Sequence, residues 1–111
     1  MNFGDAIKTC FSKYADFSGR AKRPEFWWFV LFLFLVSLVL GLVSNTVSLL
    51  FSLGTLIPSL AVGARRLHDT NRSGWWQLIG LIPVIGWIVL IVFCAQEGES
   101  GDNQYGAPPG N

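Results

Sequence analysis

The sequence predicts an all-α integral membrane protein with three transmembrane helices, and three observations lead there. Lys, Arg, Asp and Glu are absent from Phe26 through Ala64, a run of 39 residues. They are absent again from Ser73 through Gln96, a run of 24 residues. A membrane helix needs about 20 apolar residues, so the first run is long enough for two spans and the second for one. Third, all eight basic residues lie before the first run or between the two: Lys8, Lys13, Arg20, Lys22 and Arg23, then Arg65, Arg66 and Arg72. A soluble domain of 111 residues would place charges every few positions along its solvated faces.

Three regions follow in order. Residues 1–18 form an amphipathic helix: Phe3, Ala6, Ile7, Cys10, Phe11, Tyr14 and Phe17 fall on one arc at 100° per residue, opposite Asp5, Lys8, Thr9, Ser12, Lys13 and Asp16. Its polar face balances two acids against two lysines. Burial of its aromatic residues, in the membrane interface or against the rest of the chain, is therefore its main drive. Residues 19–95 form the membrane domain. Ser18-Gly19 ends the first helix, and Pro24 suits the first turn of the next, with Glu25 near its positive end. The expected spans cover about residues 26–43, 47–64 and 75–95, with Ser44-Asn45-Thr46 as the turn within the long run. Residues 96–111 are polar, acidic and rich in Gly and Pro, and are expected to be a flexible tail.

The basic residues also set sidedness. With three spans the N-terminal region and the second loop share a face, which the positive-inside rule makes cytoplasmic, and the tail becomes extracytoplasmic. The rival arrangement is a re-entrant third segment, interrupted by Pro83 and Gly86, which would return the tail to the cytoplasmic face. A cleaved signal peptide does not fit the first apolar run, which starts after 25 mixed residues and has no A-x-A site behind it.

Several groups of residues are candidates for function. Arg20, Lys22, Arg23, Arg65, Arg66, His68, Asp69 and Arg72 gather at one membrane face. They could bind anionic lipid headgroups or a protein partner, because polybasic residues near an anionic leaflet contribute roughly 1 kcal/mol each and guanidinium suits bidentate phosphate binding. Arg65 and Asp69, four apart, are spaced to pair on a continuing helix, and Ser73 is placed to cap the helix that follows. Trp27, Trp28, Trp75 and Trp76 read as an interfacial belt. Ser37 and Gly41 on the first span, and Ser48, Ser52, Thr55, Ser59 and Gly63 on the second, read as helix-packing stripes, with homo-oligomerisation open. His68 and Asp69 are sequence neighbours and need not form a relay. No motif for a nucleophile, a phosphate loop or a zinc hydrolase is present, and no metal, cofactor or nucleic acid is expected. Cys10 and Cys94 are too few and too isolated for a disulfide framework or a zinc site. The reading is a non-enzymatic membrane protein acting by interaction. An oligomeric transport or channel subunit, or a membrane enzyme acting on a phosphorylated lipid, are the alternatives.

Four stretches in order, "GRAKRPEFWW", "RRLHDTNRSGWW", "LIPVIGW" and "GDNQYG", resemble the YhaH-like small bacterial inner-membrane proteins of the domain of unknown function 805 family. The resemblance runs from about Tyr14 to Pro108. It implies a bacterial inner-membrane location and no stated activity. It draws attention to Gly19, Arg20, Arg23, Glu25, Arg65, Arg66, Leu67, His68, Asp69, Ser73, Trp76, Pro83, Gly86, Asn103, Tyr105 and Gly106. Pro24 and Gln104 depart from the family pattern, which usually has a polar residue at the first position and a basic one at the second. Any role of a basic residue in the tail motif therefore does not carry over.

Overall fold

A computed structural model describes residues 1–109. Four α-helices and one 3-10 segment make up its regular structure: α1, Phe3–Ser12; α2, Arg23–Val43; α3, Asn45–Asp69; a 3-10 segment, Gly74–Leu81; and α4, Ile85–Ala95.

Two of these are long and apolar enough to cross a membrane, α2 with 21 residues and α3 with 25. At 1.5 Å per residue they measure about 32 and 37 Å, matching a hydrocarbon core of about 30 Å. Their outward side chains fit that environment. Leu35, Leu38, Val39, Leu42 and Val43 on α2 and Leu49, Leu50 and Leu53 on α3 are all exposed, an apolar surface that water would not tolerate. One residue joins the pair. Ser44 ends α2 by donating its N–H to Leu40 O at 2.8 Å, and its Oγ accepts from Val47 N at 3.3 Å to start α3. A single serine thus satisfies orphan groups of both helix ends. α3 carries Pro58 and continues to Asp69, well past the expected end near residue 64.

α1 starts at Asn2, whose side chain accepts from Asp5 N. Its apolar face packs on α2: Ala6 and Cys10 are buried, Phe3 meets Trp28 and Phe32, and Phe11 meets Phe29 and Phe32 edge-on. Tyr14 extends this contact by donating its hydroxyl to Gly54 O on α3. The small core is Cys10, Ala21, Phe29 and Val62.

The expected third span is not a single helix. Residues 75–95 divide into the 3-10 segment and α4, which fold against each other. Each is about 16 Å long, half the hydrocarbon thickness. The reversal has clear causes. Pro83 supplies no N–H, and Val84 adopts φ 66°, a conformation unfavourable for a β-branched residue. Gly86 lets the two arms touch: a Cβ there would lie 1.7 Å from Ile79 O. Trp87 Nε1 then donates to Gly80 O at 2.9 Å, occupying a carbonyl the break leaves free. Ser73 caps the segment as expected, its Oγ accepting from Trp75 N.

The tail departs from expectation too. From Glu99 to Gly106 it is docked rather than free, with Glu99 N donating to Asp69 O at 2.8 Å and an Asn103–Gly106 bridge closing a turn, while residues 110–111 of the expected tail lie outside the described residues. It therefore lies at the Asp69 end of α3, beside the segment that precedes α2, and not at the opposite end as three full spans would require.

The backbone-to-backbone contact at Gly86 gives a test. Gly86→Ala should destabilise the fold by about 1–3 kcal/mol, the range for overpacking. Gly41→Ala, with no atom within 4 Å of the added Cβ, should be neutral or slightly stabilising. Detergent-titrated unfolding followed by tryptophan fluorescence compares the two.

Candidate arginine–carboxylate cluster

The residues 61–69 end of α3 is the most buried part of the chain. The cluster there is built from three arginines and two carboxylates brought in by three segments, with backbone carbonyls from a fourth. Arg65, Arg66 and Asp69 come from α3, Arg20 from the linker after α1, Glu25 from the first turn of α2, and the tail supplies carbonyls. The side chains of Arg20, Arg65 and Arg66 are fully buried, and those of Asp69 and Glu25 nearly so.

Asp69 sits at the centre. Its Oδ1 accepts from Arg20 Nε at 2.9 Å and its Oδ2 from Arg66 Nη1 at 2.7 Å. The expected Arg65–Asp69 pair does not form; Arg65 pairs with Glu25 instead and also donates from Nε to Asp16 O at 3.1 Å. Arg66 spends its remaining donors on backbone: Nη1 to Ala21 O at 3.0 Å, Nε to Cys94 O at 2.8 Å, and Nη2 to Gln96 O. Arg20 does likewise, with Nη1 reaching Gly101 O at 2.8 Å and Gly106 O at 3.2 Å, and Nη2 reaching Glu99 O and Asp69 O. Ala21 N returns a bond to Arg65 O at 2.8 Å.

The acceptors have a pattern. The last carbonyls of a helix lack intrahelical partners and carry the negative end of its dipole. Cys94, Ala95 and Gln96 end α4, and they are met by Arg66, by Arg23 at 3.5 Å to Ala95 O, and by Trp27 Nε1 at 3.2 Å to Cys94 O. Arg72 adds a bond to Gln96 Oε1 and lies 4.0 Å over the Phe93 ring. Arg20 treats Asp69 O, at the end of α3, in the same way.

His68 takes no part in a relay. Its Nδ1 lies 2.9 Å from Gly19 O, and its ring stacks on Tyr105 with centroids 3.9 Å apart and planes 2° from parallel. Asn103 holds that arrangement: Nδ2 donates to His68 O at 3.0 Å and Oδ1 accepts from Tyr105 N at 2.9 Å. Gly106, at φ 116°, completes the turn. Glu25 also receives the Cys10 thiol, 3.9 Å from its Oε2. Burial, with Glu25 beside it, pushes that thiol up to about 12, so it stays protonated.

Of the sequence candidates, the structure gathers Arg20, Arg65, Arg66, His68 and Asp69, and it turns them inward, buried and bonded to groups of the chain itself. Lys22, Arg23 and Arg72 stay at least partly accessible. Trp27 is half-buried and bonded, Trp28 packs on Phe3, Trp76 packs edge-on to Phe93, and Trp75 is the most exposed of the four. The small-residue stripe divides. Thr55 and Gly63 are buried and Ser48 and Ser59 half-buried, whereas Ser52 and Gly41 face outward and Ser37 is half-buried. A Cβ on Gly63 would lie 2.3 Å from Gln77 Oε1, so this glycine lets the 3-10 segment approach α3. Asn103 and Tyr105 have structural roles that periodicity alone does not signal. Among the described residues no group of three or more His, Cys, Asp or Glu side chains is arranged to hold a metal.

Two helices long and apolar enough to cross a membrane, a hairpin of two short arms and a buried ionic cluster at one end define a small helical membrane protein. The chain belongs to the DUF805 family, described as a protein of unknown function, whose model matches residues 14–107. It is 48% identical over 103 residues to the inner membrane protein YhaI of Escherichia coli K12, covering 86% of this chain and 87% of that one. It is 40% identical over 107 residues to the inner membrane protein YhaH of the same strain, covering 86% and 88%. The uncharacterized protein YiiR is 35% identical over 81 residues, 68% of this chain and 53% of that one. No solved structure matches.

Removing one partner of a buried ion pair leaves the other uncompensated, at a cost of about 3–5 kcal/mol. Asp69→Ala should therefore destabilise the protein by that order, since it strands both Arg20 and Arg66. Arg20→Gln should release the tail selectively, making residues 97–106 protease-sensitive while α2 and α3 stay resistant. Mass-resolved limited proteolysis reads both variants.

Proposed function

We propose that this protein is a non-catalytic inner-membrane protein that crosses the bilayer with α2 and α3, carries a half-depth hairpin, and keeps both its N-terminal helix and its tail at the cytoplasmic face. There it contacts anionic lipid headgroups. What supports the placement is the grouping of every basic residue toward one end, the side the positive-inside rule assigns to the cytoplasm.

The observation that carries the functional part is the division of labour among the cations. Arg20, Arg65 and Arg66 are turned inward, holding carboxylates and backbone carbonyls, with Arg65 Nη2 alone left without a partner among the described residues. Lys22, Arg23 and Arg72 are left accessible around the C-terminal end of α4, with Lys8 and Lys13 exposed on α1. Their attraction to an anionic leaflet adds roughly 1 kcal/mol per residue. Of the sequence pair best suited to acid–base chemistry, Asp69 is committed to two arginines and His68 Nδ1 to Gly19 O.

Tryptophans beside this rim report on bound lipid. In mixed bilayers brominated phosphatidylglycerol should quench the intrinsic fluorescence more strongly than brominated phosphatidylcholine at equal mole fraction. An Arg23→Gln, Arg72→Gln double variant should lower that preference by roughly thirtyfold, as two such contacts predict. Equal quenching by the two lipids in the unmodified protein would end this account of the rim.

A further inference from the structure

A cavity of roughly 520 Å³ lies between α3 and the 3-10 segment. Leu60, Leu78, Trp75 and Phe17 supply apolar lining, and the stacked rings of His68 and Tyr105 complete it. Leu60 and His68 are eight residues apart on α3, so the cavity runs about 12 Å from the bilayer side to the ionic end. A volume in this range is typical of a small-ligand site.

The polar end is specific. A carbonyl can only accept, so His68 Nδ1 donates to Gly19 O. That leaves Nε2, which lies 3.6 Å from where a side chain on Gly74 would begin, and Gly74 lines the same cavity. His68 is 8% exposed; its Nε2 and the Tyr105 hydroxyl keep some accessible surface and have no hydrogen-bond partner among the described residues. In the neutral ring with Nδ1 protonated, Nε2 is an acceptor, while a phenol can donate and accept. The group that complements both is a hydroxyl, donating to Nε2 and accepting from Tyr105. Among the described residues no Lys, Arg, Asp or Glu lines the cavity, and the one unpartnered nitrogen of the buried guanidinium groups, Arg65 Nη2, is buried away from it. A phosphate there would be desolvated without a counter-ion, which is costly.

We propose that this cavity binds a membrane lipid with an uncharged hydroxyl head, its hydroxyl between His68 and Tyr105 and its hydrocarbon chain along Leu60 and Leu78. The site rests on the membrane placement given above but not on the headgroup contacts of Lys22, Arg23 and Arg72.

His68 is the sole histidine of the chain, so ¹⁵N-histidine labelling gives one Nδ1 and one Nε2 resonance. The protein in phosphatidylcholine nanodiscs is titrated with dodecan-1-ol, with a dodecyl hydroquinone and with dodecyl phosphate. A saturable shift of Nε2, with Nδ1 unchanged, is expected from one or both neutral probes, and which one responds separates aliphatic from aromatic alcohols as the source. Leu78→Trp, which fills the apolar end and leaves the reporter in place, should weaken that titration at least tenfold. No saturable shift from either neutral probe, an equal shift from dodecyl phosphate, or an unchanged titration in Leu78→Trp would overturn the proposal. The brominated-lipid measurement reads the cationic rim instead, so either idea can fail alone.

Discussion

The carboxylate of Asp69, held between Arg20 and Arg66, is the constraint on which the rest of the arrangement depends. One oxygen goes to an arginine from the linker after α1 and the other to an arginine on its own helix. Arg20 carries the tail through Gly101, Glu99 and Gly106, and Arg66 carries the end of α4 through Cys94 and Gln96. Four parts of the chain thereby meet at a single acid. A buried ion pair is weak evidence for net stability, because desolvation offsets much of the attraction. Its better-attested use is to fix one arrangement among several, and that is the role assigned to it here. The fit is tight: a Cβ on Gly98 would lie 1.8 Å from Asp69 Oδ2.

The short hairpin of the 3-10 segment and α4 explains why such a cluster is needed. A helix of 11 residues is too short to cross a bilayer, and its terminal carbonyls, packed against α2 and α3, must find donors within the protein. Water and caps serve this purpose in soluble proteins. Here guanidinium groups and an indole N–H serve it. The arginines that would otherwise read as a lipid-binding face are largely spent on backbone.

Much of this was legible in the sequence, and the limits have physical causes. The two long spans follow from the charge-free run, and the turn at Ser44 from the only polar triplet within it. Ser73 reads correctly as a cap. The third segment is ambiguous because hydropathy measures how apolar a stretch is, not whether its helix is continuous. Pro83 and Gly86 were the only hints, and Val84 with its positive φ gives none. The tail's composition suggests mobility because its contacts are backbone carbonyls, which every residue possesses and no composition reveals. Only the "GDNQYG" motif, through family resemblance, marked Asn103, Tyr105 and Gly106. The arginine pairing was misread because Arg65 and Asp69 share a helical face, and spacing cannot show that Glu25 from another helix competes for Arg65. Sequence likewise could not tell that three of the arginines turn inward.

If one acid gathers both the segment before α2 and the tail, those two parts must lie on the same side of the membrane. Single cysteines at Lys22 and Gln104, introduced with Cys10 and Cys94 replaced by serine, test this with an impermeant maleimide. Both sites should label in inverted inner-membrane vesicles and both should be protected in intact spheroplasts. Labelling of the Gln104 site from the outside, with the Lys22 site protected, would contradict the account and restore three full spans.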